Sequence, residues 1–275
     1  MSGMNERSIT VAGIKTIAYI SMFIDHFAVI LVEPMLEARG YVVSDNPVYT
    51  LMRAAGRIAF PLFCFMLVEG MEKTRNKSRY LGQLFLMAII SEPCFDFGLE
   101  GVWWDPKYQN VCVTLFIGGL VLMLDEIYER KVANKLARWL LLVVTAIGGM
   151  AATYLLKTDY SVVGIAVILT LKYLRPLIKR DVFYAIIAMM AVVYLSYFIK
   201  YFIKFPRHRA DGIDWTWYFK TAWTLQLMEP VSLLFISAYN AKKGRILPKL
   251  FYYSFYPVHF ILLGFIAKML GFIVL

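Results

Sequence analysis

The chain is poor in the residues that build metal centres and nucleotide loops. It has three cysteines, Cys64, Cys94 and Cys112, and three histidines in 275 residues. None falls at the spacing of a zinc or iron–sulfur ligand set, so no metal is expected. No glycine-rich phosphate loop is present, which argues against a P-loop or dinucleotide fold. All three cysteines lie in or beside apolar blocks, where cysteine acts mostly as a small buried hydrophobe. A Cys94–Cys112 disulfide near one membrane face stays open. Acidic residues are also scarce, 19 against 29 Lys plus Arg, giving a net charge of +10. No long polar stretch marks a soluble domain, and no repeat of 20–50 residues is visible. The first apolar block lacks a small-residue cleavage site and carries Asp and His, so it reads as a retained helix rather than a signal peptide.

What is abundant is apolar length. Hydrophobic residues make up 60% of the chain, against about 45–50% in soluble domains. They fall in blocks separated by short, mostly basic runs, the pattern of an all-α polytopic integral membrane bundle. About nine spans are expected, near 13–33, 51–71, 80–99, 111–127, 139–156, 160–174, 182–203, 220–238 and 250–273. The sixth is short for a full crossing, and eight to ten spans are compatible with the pattern. Together they form one membrane domain over residues 1–275. Placing the N-terminus in the cytoplasm puts 18 Lys and Arg on inner segments and seven on outer ones, which satisfies the positive-inside rule. The exception is 204–220, which alone supplies four of the seven. The positive charge thus marks loops at the inner face of a cell membrane, and no nucleic-acid partner is implied.

Charged residues inside the spans then become informative, because each costs at least ~2.5–3.5 kcal/mol on insertion scales. The first span, GIKTIAYISMFIDHFAVILV, holds Lys15, Asp25 and His26. At about 1.5 Å per residue, His26, Arg57, Glu92 and Glu229 all fall roughly 9–13 Å below the outer face, with His259 nearer the middle. Five spans can therefore share one polar cavity. Two readings follow. Arg57 pairs with Glu92 or Asp25 as packing glue, or the cluster does chemistry, with two histidines suited to proton transfer near neutral pH. Lys15 precedes His26 by eleven residues, about three helical turns, so the two share a stripe roughly 16 Å long. Asp25 points about 100° away and is expected to pair with Arg53 or Arg57 on the next helix. On spacing alone, Lys15 reads first as a snorkelling interface anchor.

The first-span GIKTIAYISMFIDHF, the run RAAGRIAFPLFCFMLVEGMEKTRNKSRYL, the segment SEPCFDF and the late FYYSFYPVHF together resemble the TraX family of membrane acetyltransferases. More distantly, Lys15-x10-His26 and Phe60-Pro61-Leu62-Phe63 are similar to the membrane acyltransferase 3 family, where Arg is the usual basic residue. The resemblance implies acetyl transfer from cytoplasmic acetyl-CoA to an amine or hydroxyl acceptor, on pilin or a surface glycan, at or across the membrane. It makes His26 the catalytic histidine and matches Lys15 to the basic residue associated with donor phosphates. It marks Arg57, Glu69 and His259 as important without assigning roles. The accompanying physical reading adds Lys73, Arg75 and Lys77 as cytoplasmic phosphate contacts. Arg57 is expected to stabilise developing negative charge, and Asp25 and Glu92 to balance the cavity's charge. Glu69 and Glu229 are grouped with the acceptor.

From composition alone, a proton-coupled transporter or flippase using the same buried Asp, Glu, Arg and His residues is an equal alternative, and Glu229-Pro230 reads as a broken helix of the carrier kind. WWDPKY at 103–108 and WTWYF at 215–219 are expected in interface belts. Arg207-His208-Arg209 is expected to attract an acidic acceptor or to anchor at headgroups.

Overall fold

A computed structural model describes residues 8–210, 226, 228–245 and 247–272. The described residues are helical apart from connections. The order is α1 (Val11–Phe27), a π-helical turn (Ala28–Val32), α2 (Glu33–Ala38), α3 (Pro47–Gly56), α4 (Ala59–Lys73), α5 (Lys77–Glu100) and α6 (Val111–Lys131). There follow α7 (Lys135–Leu155), α8 (Ser161–Arg180), α9 (Val182–Ala210), α10 (Ser232–Ser237) and α11 (Lys249–Met269).

The helix starts are written in single polar residues. Thr10 caps α1, Asn46 caps α3 with Pro47 at the first helical position, and Asn76, Asn110 and Asn134 cap α5, α6 and α7. Each side-chain oxygen accepts from an amide that has no partner inside its own helix. Gly101, at φ 75°, ends α5 in the left-handed conformation.

Among the described residues, seven helical stretches are long and apolar enough to cross a membrane. Two are composite: Val11–Ala38 joins α1 to α2 through the π turn, and Pro47–Lys73 joins α3 to α4. The expected span 160–174 continues as α8 to Arg180, a full crossing of 20 residues. The polar residues near its end are matched: Lys172 and Tyr173 donate to the fully buried Asp125 of α6, and in the added turn Arg175 pairs with Glu69 and Glu72. The expected span 80–99 is helical throughout within α5 but is not among the seven, its apolar character diluted by Glu92 and Asp96. The aromatic run 215–219 and residues 220–225 and 227 of the expected span 220–238 lie outside the described residues, as do the side chains of Arg207, His208 and Arg209; the described part of that span is a turn followed by the short α10.

The outer helix faces are apolar and exposed. On α7, Leu136, Leu140, Val143, Val144 and Ile147 are each at least half exposed and recur every three or four positions, so one stripe faces outward. Equivalent stripes run along α5 (Phe85, Leu86, Ile89, Ile90) and α11 (Val258, Leu262, Phe265, Met269). In water such surface would be unfavourable; in a bilayer it is the solvated face. The protein is accordingly a multi-pass membrane protein.

The polar residues lie inside the bundle, and the helices approach closely to seal them. The α5–α11 contact passes through Gly98 and Gly264, where an added Cβ at Gly264 would meet Phe97 at 2.9 Å and Gly98 Cα at 3.1 Å. Small residues permitting such approach are the usual membrane packing device.

Candidate active site

Three helical interruptions converge where the polar residues sit. Directly after His26, α1 widens into the π turn; Pro34, lacking an amide, denies the Ile30 carbonyl its α-helical donor. The second span breaks at Arg57, whose amide is shared between the Arg53 and Ala54 carbonyls, while Pro61 deprives the Arg57 carbonyl of its i+4 donor. On α11, Pro257 precedes His259 by two residues. Broken helices at membrane depth are tolerated where they line a cavity or are buried in protein, and these three surround one.

The cavity has a volume of about 340 Å³. Its charged and polar wall is Asp25, His26, Arg53, Arg57, Asp159 and Gln226, with Tyr108, Tyr160, Tyr197 and Tyr256 completing it. Phe60, Phe63 and Phe95 supply apolar surface. Tyr108 lies on the α5–α6 connection and is 43% exposed. The cavity therefore communicates with the bundle end away from the α1 N-terminus.

The histidines form a pair. His26 Nδ1 lies 2.6 Å from His259 Nε2, with the rings within 9° of parallel. His259 Nδ1 lies 2.8 Å from the Phe255 carbonyl oxygen. A carbonyl only accepts, so His259 Nδ1 carries a proton and donates it. In neutral His259, Nε2 is then the acceptor, and His26 Nδ1–H donates to it. The chain of bonds leaves the lone pair on His26 Nε2, which has no protein hydrogen-bond partner among the described residues. His259 itself is 3% exposed and sits behind His26, not on the cavity wall.

Asp25 faces elsewhere, as helical phase predicts. Arg53 Nη1 approaches it at 2.7 Å, and Arg57 Nη2 approaches its two oxygens at 3.0 and 3.1 Å. Two cations share one carboxylate. Gly56 permits this, since a Cβ there would come within 2.3 Å of Asp25 Oδ1. Arg57 also lies over the Tyr160 ring at 5.8 Å, and Tyr160 stacks on Phe60. Its Nε is buried with no hydrogen-bond partner. At the exposed rim, Tyr108 donates to Asp159 Oδ1 at 3.0 Å. Burial and that carboxylate push the Tyr108 phenol well above its usual range, so it remains a donor.

The other expected residues lie further off. Glu92 Oε2 accepts from the Asn110 backbone and side-chain amides, fastening α5 to the start of α6, while its Oε1 is buried without a partner. Glu229 is fully buried in the turn before α10 and accepts from the cavity residue Tyr197 at 3.3 Å. Neither is on the cavity wall. Lys15 lies over the Tyr252 ring at 4.2 Å. At the basic end of the bundle, Glu69 pairs with Lys73 at 2.8 Å and with Arg175 at 3.3 Å. Lys77 pairs with Glu126, and Arg75 is exposed. Cys64, Cys94 and Cys112 are all free thiols. Asp159, Tyr108, Tyr160 and Gln226 were not anticipated. Asp159 and Tyr108 lie on connections, outside the spans where intramembrane charge is a signal, and Tyr160, at the edge of the expected span 160–174, carries no charge.

A probable fimbrial assembly protein, FimC of serogroup H1 from Dichelobacter nodosus, is 27% identical over 261 residues, covering 91% of this chain and 92% of that protein. No solved structure matches. A family described as TraX protein matches residues 10–267, which takes in the His26, Arg57 and His259 segments at once; the chain belongs to the TraX family.

Proposed function

We propose that the protein is a membrane acetyltransferase that takes acetyl groups from acetyl-CoA on the cytoplasmic side. It passes them to an amine or hydroxyl, on a pilin subunit or surface glycan, at the opposite face of a cytoplasmic membrane. The observation that carries the reading is the lone pair left on His26 Nε2, at the wall of a polar cavity. That nitrogen is free to accept a proton, as a general base must. The acceptor's nitrogen or oxygen attacks the thioester carbonyl as its proton passes to His26 Nε2. Collapse breaks the C–S bond, and the same proton goes to the departing thiolate. Arg57, with one face held by Asp25, faces the negative charge that develops on the carbonyl oxygen. The family membership and the fimbrial assembly relative support a pilin-related acceptor.

The test is acetyl transfer by the purified protein in lipid nanodiscs, followed with radiolabelled acetyl-CoA. His26→Ala is expected to retain fold and lower the rate at least a hundredfold, within the about 10²–10⁴ span of general-base contributions. Full activity in that variant would remove His26 from the mechanism. A carrier reading draws on the same ion-paired cavity between broken helices. It predicts substrate flux in proteoliposomes and neither transfer nor hydrolysis of acetyl-CoA.

A further inference from the structure

The α1 N-terminus is closed by a strap that the mechanism above does not use. The amides of Val11 and Ala12 donate to the carbonyls of Lys242 and Lys243, and Asn240 N–H donates back to the Ile9 carbonyl. The strap backbone thereby satisfies helix-end donors, while the Lys242, Lys243, Arg245 and Lys249 side chains stay exposed. With Lys15 they make five cations around one helix end. None of the five has an ion pair among the described residues. Glu69, which reaches Tyr239 beside the strap, is already shared by Lys73 and Arg175. At the same bundle end, Lys77, Arg130, Arg138, Lys172 and Arg175 are each matched to a carboxylate.

The patch also stands at the foot of a seam. From Lys15 over Tyr252, aromatic contacts between α1 and α11 continue in register. Tyr19 lies 5.5 Å from Tyr252 and 5.1 Å from Phe255, and Phe23 lies 6.4 Å from both Phe255 and His259; the run ends at the His26–His259 pair. Side-chain rings, rather than closely packed backbone, join the two helices along this line.

We propose that Lys15, Lys242, Lys243, Arg245 and Lys249 form the site for the phosphate groups of the thioester donor. The acyl-bearing arm then runs along the α1–α11 seam to His26. This assignment rests on the acetyltransferase reading and moves the phosphate contacts from the 73–77 loop to the strap. Several exposed cations acting together also make the site salt-sensitive.

The experiment uses full-length protein in zwitterionic nanodiscs and two donors, acetyl-CoA and phosphate-free S-acetylpantetheine. Lys243→Gln/Arg245→Gln/Lys249→Gln alters exposed side chains and leaves the strap's carbonyls in place. It is expected to reduce the preference for acetyl-CoA over S-acetylpantetheine at least tenfold and to flatten the salt dependence of acetyl-CoA use. Lys131→Gln/Lys135→Gln, at the same bundle end, is the control and should keep the wild-type preference. An unchanged preference in the triple variant overturns the site. So does a loss seen only in discs containing phosphatidylglycerol, which would assign the patch to lipid headgroups. If wild-type protein uses neither donor, the acetyltransferase reading itself has failed.

Discussion

His26 and Asp25 are adjacent in the chain yet serve different partners, and this separation defines the site. Phase on a helix sends Asp25 to Arg53 and Arg57 and His26 to His259. The first pairing was legible from sequence, since Arg53 and Arg57 follow within the next span. The second was not: it joins residues 233 apart, and nothing local makes α11 the neighbour of α1. In the proposed mechanism, His259 acts as a positioning residue: its Nε2 accepts from His26 Nδ1–H and so fixes the tautomer of His26. Its replacement should therefore respond to hydrogen-bonding capacity. His259→Leu removes the acceptor for His26 Nδ1–H and is expected to lower kcat at least tenfold with KM little changed. His259→Gln, whose amide oxygen can accept, should recover most of that loss. Equal losses in the two variants would reduce His259 to a packing residue. Gly56 gives a second test. Asp25 is held by two arginines and cannot swing from a new Cβ, so Gly56→Ala is expected to destabilise by about 1–3 kcal/mol, the usual range for overpacking. It should also depress transfer. Thermal unfolding in detergent, read beside the rate, measures both.

At the scale of elements, helix existence was readable while helix continuity was not. Length and hydropathy place α6, α7, α8 and α11 closely. They run straight through the π turn after His26 and the break at Arg57, because Pro34 and Pro61 act on carbonyls four residues earlier. The span expected at 80–99 is helical within α5, where Glu92 and Asp96 lower the apolar average but are held by Asn110 and the Asp105 amide. Tyr108 and Asp159 carried no signal, since connections are expected to be polar, and Tyr160 and Tyr197 carried none because an uncharged tyrosine is ordinary within a span. The interruptions nonetheless set the geometry. Pro257 withholds a donor from the Tyr253 carbonyl in the turn that carries His259. Pro257→Ala restores that amide. The expected outcome is a thermal midpoint equal to or above wild type, with acetyl transfer at least tenfold lower. A variant that is both stable and fully active would show that the proline has no part in setting the histidine pair.

At the scale of the whole molecule, the two ends of the bundle have opposite equipment. One end carries the basic strap and the matched ion pairs of α4, α5, α6 and α8. The other carries Tyr108, Asp159 and the cavity. If the basic end is cytoplasmic, as charge bias predicts, donor and acceptor approach from opposite sides and meet at His26. This orientation is testable because the native thiols Cys64, Cys94 and Cys112 are buried and should give little background. Lys107 is 84% exposed on the α5–α6 connection beside the cavity mouth. In intact cells or right-side-out vesicles, Lys107→Cys is expected to react with a membrane-impermeant maleimide. Lys131→Cys, at the other end of α6, should react only after permeabilisation. The reverse pattern would place the cavity mouth in the cytoplasm, on the same side as acetyl-CoA. Transfer across the membrane would then be excluded, and the acceptor would have to be a cytoplasmic or inner-leaflet molecule.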